Sequence, residues 1–114
     1  MLIPIEDLEN HWTENQNLMV LLPILEYSYP SVLDKINTSQ VLSREVLREV
    51  VEYSLSFPSR HWAMSAVTWM DNGFEINQSI YEKLVLISKN KTDSQPLRHK
   101  AIAQANKWKQ RNGI

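Results

Sequence analysis

The sequence predicts an all-α fold of about six helices, arranged as a right-handed stack of antiparallel helical hairpins like a fragment of a HEAT-type α-solenoid. Three observations lead there. Apolar residues recur at helical spacing almost throughout, and no alternating strand pattern stands out. Ser, Asn, Pro and Gly fall where helix ends are needed. A short motif also repeats at an offset of 38 residues: Pro58-Ser-Arg60-His61-Trp-Ala63-Met64 returns as Pro96-Leu-Arg98-His99-Lys-Ala101-Ile102. Val46-Leu47 and Leu84-Val85 keep the same offset, and both units end in Asn-Gly. The chain of 114 residues is then one domain. Its parts are an N-terminal helical cap (1–42) and two helical repeats (43–73 and 77–113).

Ile5, Leu8 and Trp12 place a first helix over about 5–15, with an acidic outer side. Leu18 to Leu25 is apolar all round, which predicts burial. Pro23 must kink that segment or start a new helix. Pro30 does the same for a short helix bearing Val32, Leu33 and Ile36. Ser43 caps a helix whose inner stripe is Val46, Leu47, Val50, Val51 and Ser54. Pro58 ends it, and Ser59 caps the next, with Trp62, Ala63, Ala66, Val67, Trp69 and Met70 inward. Asn72-Gly73 stops that helix. Asn77 caps a helix with Ile80, Tyr81, Leu84, Val85 and Ile87 inward. Ser94 caps the last helix, Pro96 fits its first turn, and Leu97, Ala101, Ala105 and Trp108 form a narrow stripe. Met64 and Leu86 break their patterns, as packing residues or exposed interface residues.

Composition excludes several classes. Apolar residues make up 43% and charged residues 22%, which is a globular balance rather than a disordered one. With no Cys there is no disulfide, thiolate metal site or Cys nucleophile. The longest apolar run is far short of the roughly 20 residues a membrane helix needs. Acids follow directly on Met1-Leu2-Ile3-Pro4-Ile5, which argues against a secretory signal and predicts a cytoplasmic protein. Net charge is −1 but unevenly spread. Residues 1–57 hold three cations and nine anions, and residues 58–114 hold nine cations and four anions.

No catalytic motif is complete: there is no GxSxG, no Gly-rich phosphate loop and no HExxH. The histidines His61 and His99 fill matching positions, for which a structural role is expected, the alternative being a paired acid/base or metal site. Arg60 and Arg98 also match. A cation is unfavourable in a helix first turn, so each is expected to hold a carboxylate or carbonyl of the preceding helix. No metal or cofactor is expected.

The segment Arg60-His-Trp-Ala-Met-Ser-Ala-Val-Thr-Trp-Met-Asp-Asn-Gly73, followed by Gln95-Pro-Leu-Arg-His-Lys-Ala101 and Trp108, resembles small all-helical bacterial proteins. Some of these are immunity proteins of contact-dependent growth inhibition and other polymorphic toxin systems. The resemblance covers roughly residues 43–110. It implies a non-catalytic protein that binds a cognate toxin, often a nuclease, and blocks its active site. The acids Glu6, Asp7, Glu9 and Glu14 of the first helix, with Glu45, Glu49 and Glu52, are the expected partner-binding surface, since nuclease clefts are basic. The alternative is a nucleic-acid-associated module using Lys100, Lys107 and Arg111 of the last helix.

Overall fold

In the computed structural model, which describes residues 2–113, short polar side chains set most helix starts. Met1 and Ile114, the ends of the expected domain, lie outside the described residues. The elements are α1 (Ile5–Asn15), the 3-10 helix η1 (Leu18–Glu26), α2 (Val32–Ile36), α3 (Arg44–Ser56), α4 (Arg60–Asp71), α5 (Gln78–Lys89) and α6 (Gln95–Arg111). The fold is all-α, with no strand among the described residues.

Ser43 Oγ accepts from the Val46 N–H, Asn77 Oδ1 from Ile80 and Ser94 Oγ from Leu97. Each satisfies one of the N–H groups that a helix start leaves unpaired. Ser59 occupies the N-cap position of α4, but its side chain makes no cap bond. That entry is held instead by Arg60, whose Nη1 donates to the carbonyls of Leu55 and Phe57. Gly73 ends α4 at φ +103°, a conformation costly for any residue with a Cβ. Its N–H donates to Met70 O and that of Phe74 to Trp69 O, the paired bonds of a Schellman stop. The Phe74 and Trp69 rings pack 5.9 Å apart over that stop.

The segment 18–26 is buried as expected but winds more tightly than an α-helix. Pro23 has no N–H to donate, and it would break an α-helical ladder midway. With three residues per turn, side chains at i and i+3 line up. Leu21 and Ile24 form one buried column, and Leu22 and Leu25 the next. Val20, Pro23 and Glu26 form the outer column, which grades from half-buried to exposed. η1 packs on α1, α3 and α4.

The remaining helices pair as α3 with α4 and α5 with α6, and α3 packs on α5 and α4 on α6. Ala63 and Ala66 of α4 and Ala101 and Ala105 of α6 are buried, where small side chains let helices approach closely. Trp69 is the largest fully buried side chain, and its Nε1 donates to Tyr27 O at 2.9 Å. Trp12, Trp62 and Trp108 are half-buried, and Trp108 stacks on Tyr81 with centroids 4.6 Å apart.

The repeated motif does not keep its register on the helices. Arg60 is the first residue of α4, whereas Arg98 is the fourth of α6. The two helix starts lie 35 residues apart, against the motif's 38. Three residues turn a helix through about 300°, so equivalent letters face different ways.

Candidate functional site

The α3 stripe places Leu47, Val50, Val51 and Leu55 inward, so Glu45 and Glu49 are exposed and Glu52 is half-buried at the edge. Glu52 Oε2 accepts from Ser79 Oγ at 2.7 Å, which fixes it at the α3–α5 seam. Glu49 and Glu52 line an open groove of about 470 Å³ with Leu18, Tyr53 and Lys83. A second groove of about 460 Å³ shares Ser56 and Lys83 with it and runs on to Leu86. The two adjoin at Ser56 and Lys83 and together make up the α3–α5 channel. Leu86 is 68% exposed at its end, while Met64, the other residue that breaks its pattern, packs against the core. The channel therefore offers apolar contact, an aromatic wall and carboxylates side by side, with the Lys83 side chain shared by both grooves.

The seven expected acids divide into two groups. Glu6, Asp7 and Glu14 are exposed on α1, and no α1 residue lines either groove. Glu9 is half-buried and accepts from Ser39 Oγ at 2.6 Å. The same Ser39 Oγ receives the Leu42 N–H, so Glu9 anchors the linker from α2 to α3. Glu49 and Glu52 are brought together in the groove, with Glu45 one turn earlier on α3.

The basic stripe of α6 is partly occupied. Lys100 Nζ reaches Asp71 Oδ2 at 2.8 Å, and the buried Gln104 donates to Asp71 Oδ1 at 2.6 Å. Burial pushes the Asp71 carboxyl up, but the hydrogen bonds from Lys100 and Gln104 and the charges of Lys100 and Lys107 outweigh it. The net effect holds Asp71 below its ordinary range. Lys107 and Arg111 are exposed.

Neither repeat histidine is a core residue: His61 and His99 are both exposed. They are the second residue of α4 and the fifth of α6. His61 Nε2 lies 3.8 Å from Glu26 Oε1 and its ring meets Trp62 edge-on. Among the described residues no group of three or more His, Asp or Glu could hold a metal.

Arg60 has the carboxylate partner expected of it, but from outside the preceding helix. Asp93, with a side chain only 3% exposed, receives Arg60 Nε at 2.7 Å and Nη2 at 3.2 Å. With its two carbonyl contacts, Arg60 ties the α3–α4 turn to the loop before α6. The expected carbonyl partners are present. The carboxylate lies 33 residues away, where no local pattern marks it. Arg98 does not repeat this: its Nε is buried without a hydrogen-bond partner among the described residues. No family model matches this chain, and no curated protein or solved structure matches it significantly.

Proposed function

We propose that this chain is a non-catalytic protein-binding module, an immunity protein that binds and occludes a cognate bacterial toxin. The observation that supports it is the α3–α5 channel, where Glu49 and Glu52 sit beside Leu18, Tyr53 and the exposed Leu86. Protein interfaces combine an apolar or aromatic anchor with charges that steer the partner. A basic toxin domain would meet carboxylates around an anchor pocket there. In this reading the stacked hairpins are HEAT-like repeats and the segment before α3 is their cap. The protein works in the cytoplasm without cofactor or metal. Among the described residues no helix is long and apolar enough to cross a membrane.

The test is co-expression with the product of the adjacent open reading frame, where a cognate toxin would be encoded. The expected result is a one-to-one complex and relief of that product's toxicity. Co-purification of nucleic acid alone, or toxicity unchanged by the protein, would reject the proposal.

A further inference from the structure

A separate groove, of about 380 Å³, lies between the end of η1 and one face of α4. It shares no residue with the α3–α5 channel. The α4 side is His61, Ser65, Thr68 and Asn72, a polar stripe at i, i+4, i+7 and i+11. The η1 side supplies Glu26 and Tyr29.

The hydrogen bonds on that stripe decide what it can bind. Ser65 Oγ donates to His61 O at 3.1 Å, and Thr68 Oγ1 donates to Met64 O at 3.0 Å. A hydroxyl has one proton, so both oxygens have only lone pairs to offer. Asn72 Nδ2 gives one of its two protons to Thr68 O at 2.9 Å, and its Oδ1 is a further acceptor. The exposed Glu26 adds a carboxylate, also an acceptor. On the α4 face two hydroxyl oxygens thus accept, and across from them stands the Glu26 carboxylate, with His61 Nε2 3.8 Å from its Oε1, beside an aromatic wall, Tyr29, itself packed on Trp69 at 5.3 Å.

We infer that this groove is a docking site for an arginine side chain of a protein partner. A guanidinium is a planar fork of five donors with no acceptor. Residues three apart on a helix have Cβ atoms about 5–6 Å apart, so Ser65 and Thr68 are within reach of one fork. The guanidinium charge pairs with Glu26, taking the place of the longer 3.8 Å approach of His61, and the flat face suits Tyr29. A lysine ammonium is a point donor and would use fewer of these groups at once. The site is independent of the α3–α5 channel, so the failure of either assignment leaves the other standing.

The probe is the capped tripeptide Gly-Arg-Gly, with its citrulline and lysine counterparts as controls, titrated into the whole protein and followed by 1H–15N NMR. The Trp69 indole N–H, bonded to Tyr27 O at the groove, is the reporter, with those of Trp12 and Trp108 as references. The arginine peptide should shift the Trp69 indole and the amides of residues 61–72, saturating in the millimolar range typical of so small a ligand. Glu26→Gln should weaken it by a factor of about two to five, as for an exposed ion pair, while leaving the rest of the spectrum in place. Absence of shifts, equal shifts from the citrulline or lysine peptide, or shifts undiminished in Glu26→Gln would overturn the assignment.

Discussion

Arg60 and Arg98 stand in matching sequence motifs near the starts of α4 and α6. Arg60 makes two bonds to a buried carboxylate and two to carbonyls. Arg98 leaves its Nε buried and unpaired. The difference follows from helix register. Position 60 opens its helix, whereas position 98 lies a turn inside, because Ser94 starts α6 before the motif begins. A capping side chain, not the neighbouring letters, decides where an arginine points.

Breaking the two arginines should therefore give the largest contrast. Arg60→Ala leaves the buried Asp93 without its counter-charge; because the Arg60 side chain is itself 32% exposed, the cost should fall below the roughly 3–5 kcal/mol of a fully buried pair, at about 2–3 kcal/mol. Arg98→Met removes an unpaired buried donor and should be neutral within about 1 kcal/mol, or stabilising. Urea unfolding of both variants measures this, and equal losses would contradict the contrast.

The capping residues sharpen the same point at smaller scale. Asn77→Ala should cost about 1 kcal/mol, because its side chain accepts the Ile80 N–H. Ser59→Ala at the N-cap position of α4 should change stability by less than about 0.5 kcal/mol, since its side chain caps nothing. Thermal unfolding of the pair distinguishes them.

A small, pH-dependent effect should come from Asp71, which joins α4 to α6. Its carboxyl lies below the ordinary value of 3.8 in the folded protein, so the unfolded chain binds protons more readily. The resulting stability is present above about pH 4 and is lost as pH falls through the lowered folded value. Because the pair is partly exposed, Asp71→Asn should cost at most about 1 kcal/mol at neutral pH. The gap should close in acid. Unfolding curves across pH 2–7 test the sign.

Much of the fold was legible because helix ends are written locally. Ser43, Asn77, Ser94 and Gly73 act within a few residues of themselves, and each did what its chemistry predicts. Segment 18–26 was legible as buried but not as a 3-10 helix. The same apolar letters suit either winding, and Pro23 marks a break without saying what replaces the ladder. The site was legible in half. The helical spacing of Glu45 and Glu49 put them outward on α3, but the groove beside them needs Leu18 and Lys83, which are remote in sequence. Glu9 read as a surface acid and proved to be a linker anchor, because its partner Ser39 is 30 residues on. The α4 stripe of His61, Ser65, Thr68 and Asn72 had a helical period that could have been noticed. Its meaning depends on hydrogen bonds that only the folded helix makes.

In the proposed function α3 faces a basic protein partner. The most direct test is calorimetric titration of the adjacent open reading frame's product with wild type and with Glu45→Lys/Glu49→Lys, at low and high salt. Both glutamates are exposed, so the substitution should leave the fold intact. The expected result is affinity weakened about tenfold or more at low salt, with the gap narrowing as salt screens the charges. Unchanged affinity at both salt concentrations would contradict it.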